Sequence, residues 1–346
     1  MLDPIDSPTS AKSPFDIFLP LMAKVQATGT PETFSWSVSE AYHTVESDLY
    51  DQVHVSMFIS LDRIWQRLVS CLPAEPAKLR VLDVGAGTGL VGQMFDRLAP
   101  SRVETLTCVE PNQAMIVKAS QKAKSWAFPV EFVNGVLGAV PPAPTFDVIT
   151  INSVLHHIVE LGPFLQRLSA YLKPGGVFLA AHDPRGDAWS DPIAIQRKES
   201  RRFWRFIDPL LVTNTLQSKC SRWLGRQPAS VSMEEKVNAI LIGEGAIGSP
   251  MDIKSIYAVT DIHVPGQPGA MGTGLSTTWM AKHLEGFSLE DSFTYQYFGF
   301  DWVHLGVIQR RMEHRLWNRG DAHGFLFASA WRFRSESLPN GGGRRD

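Results

Sequence analysis

The run Val81-Leu82-Asp83-Val84-Gly85-Ala86-Gly87-Thr88-Gly89 places a carboxylate two residues ahead of a glycine turn. Glycines at that spacing let a chain turn tightly and let its backbone approach a ligand closely. Glycine loops that open a helix often cradle a pyrophosphate, which a carboxylate aimed into the loop would repel. The dinucleotide fingerprint also requires glycine at its sixth position, where this chain has Leu90. The ligand that fits carries a cationic group and no phosphate at the loop. A second acid, Glu110, stands 21 residues beyond Gly89. At the end of a neighbouring strand such an acid can accept both hydroxyls of a ribose.

Histidines supply the remaining chemistry. His156 and His157 follow the apolar run 146–152, and His182 with Asp183 ends the run 176–182. At the carboxyl edge of a parallel sheet, where ligands of open α/β folds bind, any of the three histidines can act as a general base. Packing or loop-holding competes with that role at each position. Histidine with carboxylate is also ligand chemistry for iron or zinc. Adjacent histidines rarely both reach one ion from a short segment, so no metal is expected.

Positioning these groups requires a sheet. Apolar strands at 80–84, 106–110, 130–133, 147–152 and 176–182 alternate with helices starting near Leu90, Asn112 and Leu161, the order of a parallel sheet with crossover helices. The Lys173-Pro174-Gly175-Gly176 turn is expected to end the last helix and open the fifth strand. Ahead of the sheet, a helix is expected from Pro20 to about Thr28. A clearer one runs over 56–72, where Leu61, Ile64, Trp65, Leu68, Val69 and Leu72 repeat at helical spacing.

Between Asp183 and Gly286 the chain is too long for a structureless loop. Helices are expected over 191–223 and 233–242, and the Gly- and Pro-dense 243–274 reads as turns or a flap. Within it, Asp261-Ile262-His263-Val264-Pro265-Gly266 is the most specific-looking piece. Final strands are expected at 292–298 and 325–333. Trp189, Phe203, Trp204, Phe206 and Trp223 of this insert, and Trp36, Tyr42, Tyr50 and Phe58 of the N-terminal part, suit either core or an apolar pocket. Arg197, Lys198, Arg201, Arg202 and Arg205 suit an anion clamp or, more simply, a solvated helix face.

The 346 residues are 44% hydrophobic and 20% charged, ordinary for a globular chain, with a net charge of −2. That balance gives no general attraction for nucleic acid or an anionic membrane, so neither is an expected partner. Nothing at the N-terminus reads as a signal peptide, and no apolar run approaches the roughly 18 residues of a membrane span. Cys71, Cys108 and Cys220 are too scattered for a disulfide framework or a zinc site. A cytoplasmic location is therefore expected.

Taken together, five segments resemble the class I S-adenosylmethionine (SAM)-dependent methyltransferases over about 80–183. They are Val81 to Gly89, then Glu110-Pro111-Asn112 with Met115, Asn134-Gly135-Val136, the Phe146 to His157 run with its Leu155-His156-His157 segment, and Leu172-Lys173-Pro174-Gly175-Gly176. The resemblance implies an α/β fold: a seven-stranded, mostly parallel Rossmann-like sheet with helices on both faces, a helical N-terminal cap and a long insert between strands 5 and 6. It divides the chain into tail and cap (1–78), SAM-binding core (79–183), substrate-cap insert (184–286), the last two strands (287–335) and a loose tail (336–346).

SAM is the implied cofactor. Asp83, Gly85, Ala86, Gly87 and Gly89 would face its methionine end, and Glu110 its ribose. Pro111, Asn112, Met115, Gly135, Val136 and Asn152 would line the remaining cofactor site. Many relatives carry an acid at the place of Val136, so the adenine contact differs here. The implied activity is methyl transfer to a small molecule of metabolite or natural-product type, and a homodimer is compatible with it. Protein or RNA methylation is the alternative, although no Asn-Pro-Pro-aromatic segment follows the fourth strand. A further alternative is a SAM-binding regulator or a SAM enzyme that does not methylate.

Overall fold

A computed structural model of the chain describes residues 13–47, 55–207, 231–265, 275–300 and 305–334. The N-terminal part forms α1 (Leu19–Val25), α2 (Pro31–Ser47) and α3 (Val55–Val69). Five strands follow, β1 (Leu79–Val84), β2 (Val103–Glu110), β3 (Val130–Asn134), β4 (Phe146–Asn152) and β5 (Leu172–Pro184). Between them lie α4 (Leu90–Leu98), α5 (Gln113–Ala123) and α6 (Leu161–Arg167). The insert contributes α7 (Pro192–Ile207), α8 (Met233–Gly243), α9 (Ile253–Thr260) and α10 (Thr277–Ala281). Strand β6 (Phe287–Tyr295), α11 (Val307–Asn318) and β7 (Leu326–Phe333) complete the chain.

The strands form one sheet in the order β3-β2-β1-β4-β5-β7-β6. The first five pair in parallel, while β7 runs antiparallel to both β5 and β6. This is the expected seven-stranded, mostly parallel architecture. Alternation along each strand divides the core between two faces. Val81 of β1 and Leu179 of β5 pack with Leu61, Ile64, Trp65 and Leu68 of α3 and with Phe95 of α4. Leu82 and Phe178 face the other way, toward Phe164 and Leu165 of α6 and Met280 of α10. The stripe read from the sequence of α3 is therefore the surface that covers one face, and those four residues are fully buried.

A third core lies outside the sheet. Phe34, Val38, Ala41 and Val45 recur along one side of α2 and bury against Val237 and Leu241 of α8 and Ile256 and Val259 of α9. The N-terminal helices and the insert thus share one apolar core.

Several elements depart from the sequence reading. Strand β5 begins at Leu172, so the Lys-Pro-Gly-Gly segment lies within it rather than ahead of it. The ladder absorbs it as a bulge, with Leu172 opposite Phe146 and Val177 opposite Val148, and Gly175 supplies a φ of 83°. Within 243–274, read as turns or a flap, the helix α9 forms. Its N-cap Asp252 accepts a hydrogen bond from the Ser255 N–H at 2.7 Å, and buried Ile256 and Val259 anchor it. The expected strand at 292–298 is displaced to Phe287–Tyr295 and ends where Gln296 turns left-handed.

Helix α2 falls within the N-terminal part expected to be helical, without bounds of its own, and α11 was not expected. Both tails, Tyr50, Trp223 and Cys220 lie outside the described residues, as do the side chains of Phe58, Arg202, Arg205 and Phe206. Of the other thiols, Cys108 is buried and Cys71 half-buried. Among the described residues no helix is long and apolar enough to cross a membrane.

Candidate active site

The glycine loop hangs between the ends of two strands. The N–H groups of Gly85 and Ala86 donate to the Val109 carbonyl of β2, and Gly85, Gly87 and Gly89 all have positive φ, a backbone shape that suits glycine. Glu110 closes the loop. Its Oε2 accepts the Gly87 N–H and its Oε1 the Asn112 N–H, both at 2.9 Å. Burial raises the Glu110 pKa, against the pull of those two donors. Around Gly87 nothing lies within 4 Å of the place a Cβ would occupy. The loop therefore presents open backbone on the side of the ribose-competent carboxylate.

Asp83 is fully buried at the end of β1. Its Oδ1 accepts the Thr150 hydroxyl at 2.8 Å, while Oδ2 has no hydrogen-bond partner. Burial pushes its pKa up to about 7; the Thr150 bond lowers it and the charge of Glu110 raises it further. An orphaned carboxylate oxygen buried in this way is costly unless a donor reaches it. A cationic ligand with a hydroxyl-bearing ribose fits the set of Asp83, the open glycine loop and Glu110. A phosphate does not.

Asn112 caps α5 through its Oδ1, which accepts the Met115 N–H, and its Nδ2 donates to the Thr44 hydroxyl and the Glu40 carbonyl of α2. Its side chain thus ties α2 to the end of β2. Met115 is buried, Val136 is exposed, and the Gly135 N–H donates to the Glu110 carbonyl. Asn152 accepts the indole N–H of Trp65 at 3.2 Å, which fixes its side chain against α3.

The placement of the histidines and Asp183 depends on a bulge that the sequence did not signal. The β5–β7 pairing shifts between Ala181 and Asp183, and His182 takes a left-handed φ of 67°. One extra residue reverses the facing of the strand beyond it. Asp183, opposite Phe327, thereby joins the face of α6. There its Oδ1 bonds Nδ1 of His156 at 2.8 Å and accepts the His156 backbone N–H at 3.1 Å. His182 instead meets the Tyr295 hydroxyl at 3.4 Å.

His156 and His157 are brought together, with ring centres 3.9 Å apart. Asp261, just past α9, approaches both. Its Oδ1 is 3.8 Å from Nε2 of His156 and 3.5 Å from Nδ1 of His157, which also lies 2.7 Å from the Thr260 carbonyl. From α2, His43 sets its ring edge-on to His157 at 5.3 Å, and the buried Glu46 carboxylate holds both His43 and the Tyr42 hydroxyl.

These neighbours set the protonation states. Burial opposes charge on His156, yet the bond to Asp183 and the charges of Asp183 and Asp261 raise its pKa overall. Burial, joined by the charges of His156 and His43, holds His157 well below the usual imidazole range. Burial also raises the Asp261 carboxyl.

Sequence reasoning singled out the Asp261 segment but gave it no role, and it assigned none to His43 or Glu46. The helical period of α2 was the available signal. Of the proposed anion clamp, Arg197 is engaged by Asp321 through two bonds of 2.8 and 2.9 Å, and Lys198 lies over Trp189 and Phe325. Those two side chains favour the structural reading.

A parallel sheet extended by a reversed β7, with an acid and a glycine loop on β1 and a carboxylate ending β2, is the arrangement that the resemblance to class I SAM-dependent methyltransferases implies. Residues 82–178 match the family model described as a methyltransferase domain. A ubiquinone biosynthesis O-methyltransferase of Rhodopseudomonas palustris (strain TIE-1) is 29% identical over 113 residues, 33% of this chain and 42% of that protein. The protein of the same description from strain BisA53 is 30% identical over 152 residues, 41% of this chain and 58% of its own length. The chain thus spans about half the length of these relatives. A SAM-dependent methyltransferase structure from Mesorhizobium loti aligns with a TM-score of 0.41 at 14% identity, covering 78% of this chain and 96% of that one.

Proposed function

We propose that this chain transfers the methyl group of SAM to an oxygen of a small-molecule acceptor. The observation that carries the reading is the buried Asp83, with one oxygen unpartnered, beside a glycine loop that Glu110 closes. When bound, SAM supplies an electrophilic methyl on a sulfonium that an in-line nucleophile displaces. Asp83 would hold the ammonium of its methionine end and Glu110 the ribose, with Gly85, Ala86, Gly87 and Gly89 giving backbone approach. Pro111, Met115, Gly135 and the exposed Val136 would flank the adenine. Alignment and a dry cavity are the main contributions such a protein makes to this displacement.

The acceptor is chosen by the cap. Helices α2, α8 and α9 share a core and bring His43, Glu46 and Asp261 to the His156–His157 edge. An oxygen acceptor must lose a proton, and this polar wall is where we place that loss; His182, turned to Tyr295, is assigned a positioning role. The O-methyltransferase names of the relatives favour a hydroxyl over an amine or carbon. Methyl-labelled SAM incubated with the protein and a metabolite extract, or with protein and RNA fractions, tests the reading. Label is expected in the small-molecule fraction, and label confined to macromolecules would overturn it.

Asp83 adds a pH signature. Its carboxyl, raised to about 7, keeps its proton below that pH, whereas an ammonium partner requires the ionised form. SAM affinity is therefore expected to level off above pH 7. Below it, affinity should fall by up to about tenfold per pH unit. Titration calorimetry from pH 5.5 to 8.5 reads this directly, with Asp83→Asn expected to bind weakly and with a flattened profile. A wild-type affinity that does not change across the range would remove Asp83 from the ammonium site.

A further inference from the structure

We propose that His156, His157 and Asp261 form a site for one divalent first-row transition-metal ion, joining the helical cap to the sheet edge on the acceptor side. One donor atom from each residue lies within 4.8 Å of the others. Asp261 Oδ1 stands 3.8 Å from His156 Nε2 and 3.5 Å from the His157 ring at Nδ1. Ligands bound about 2.1 Å from a shared tetrahedral ion are about 3.4 Å apart, so small side-chain shifts would close the site. His157 Nδ1 lies 2.7 Å from the Thr260 carbonyl, so the ion would take either Nδ1 in exchange for that contact or Nε2 after a ring flip about the broad χ2 torsion.

Three further observations point the same way. First, His156 is oriented as a metal-bound imidazole usually is, with Nδ1 engaged by the Asp183 carboxylate at 2.8 Å and Nε2 directed at Asp261. Second, Asp183 Oδ2 and Thr260 Oγ1 are buried without hydrogen-bond partners beside these rings, so the polar capacity of this cluster is not fully met by the chain itself. Third, Glu46, Asp183 and Asp261 gather three carboxyl groups around the histidines. A cation offsets the cost of placing them together.

Two imidazoles and one carboxylate select Zn²⁺, Co²⁺, Fe²⁺ or Cu²⁺ over Mg²⁺ or Ca²⁺, which prefer all-oxygen sets. Three protein ligands leave positions open for an oxygen of the acceptor. That last role rests on the methyltransferase reading; binding of the ion does not. Because two ligands belong to the sheet edge and the third to the insert, the ion also fastens the cap in place.

Protein purified without a histidine tag and stripped with a chelator is expected to take up one Co²⁺ per chain with visible ligand-field absorption, unaffected by excess Mg²⁺. Asp261→Asn and His157→Gln are each expected to weaken uptake at least tenfold. Asp183→Asn should weaken it about 10- to 100-fold through His156. Cu²⁺-loaded wild-type protein should show coupling to two nitrogens by electron paramagnetic resonance, a readout independent of whether any variant folds. Absence of stoichiometric uptake, uptake undiminished in folded Asp261→Asn and His157→Gln proteins, or a Cu²⁺ signal without coordinated nitrogen would overturn the proposal. SAM titration of the wild-type protein, run alongside, separates the two readings. SAM binding without metal uptake overturns the metal site alone, while metal uptake without SAM binding supports it and overturns the transferase reading.

Discussion

Replacing Glu110 with glutamine is expected to lower SAM affinity about 10- to 100-fold, although the side chains of glutamate and glutamine have the same shape. Each carboxylate oxygen accepts a backbone N–H, from Gly87 on one side and Asn112 on the other. An amide has only one oxygen, so its NH₂ must face one of those N–H donors. That donor is left buried and unpaired, at a cost of about 1–3 kcal/mol. The same substitution removes half of the acceptor capacity offered to a ribose diol, and hydrogen bonds to a charged group contribute about 1.5–3 kcal/mol each. The first cost falls on the fold, with or without SAM, and the second falls on binding, where about 1.4–2.7 kcal/mol corresponds to a 10- to 100-fold loss. Calorimetric titration with SAM, paired with thermal melting, separates the two contributions. Glu110→Gln binding within threefold of wild type would exclude the carboxylate from the ribose site.

How far this site could be read from the sequence depends on where the information is stored. The placement of Asp83, the glycines and Glu110 at two strand ends and in a turn was legible because local geometry encodes it in short, ordered segments. The sheet faces were legible for the same reason, since Leu61, Ile64, Trp65 and Leu68 declare a helical period and Val81 and Leu82 alternate. The placement of Asp183 was not, because a single left-handed residue, His182, turns it to the other face and no glycine marks the spot. Asp261 reaches the histidines only after α8 and α9 have packed on α2, a contact between segments about 200 residues apart. Such long-range packing leaves no local periodicity to read. The helix α9 itself lies among glycines and prolines that suggest turns, and eight residues are too few for the apolar spacing to outweigh them.

Gly85 and Gly87 occupy the same loop, yet alanine at the two positions is expected to fail in different ways. At Gly85 a Cβ would fall 2.4 Å from Cγ2 of Val154, and the backbone holds a φ of 71°. Left-handed backbone costs a residue with a Cβ about 1–2 kcal/mol. Val154 cannot easily turn aside, because a β-branched side chain has few χ1 options. Gly85→Ala should therefore destabilise the protein by several kcal/mol, roughly the upper range for single substitutions, and weaken SAM binding as the loop shifts. Adding Val154→Ala removes the collision but not the backbone strain, so the double variant should recover part of the stability and not all of it. At Gly87 an added Cβ meets nothing within 4 Å. Gly87→Ala should then change the melting temperature little, through its φ of 53° alone, while its methyl group occupies the space where a ligand must approach the loop. Its expected loss is in SAM affinity, about tenfold or more, with the fold intact. Thermal melts and SAM titrations of the four proteins decide the matter. Equal losses of stability at the two glycines would mean that the loop is only a structural turn, and an unchanged SAM affinity in Gly87→Ala would place the cofactor elsewhere.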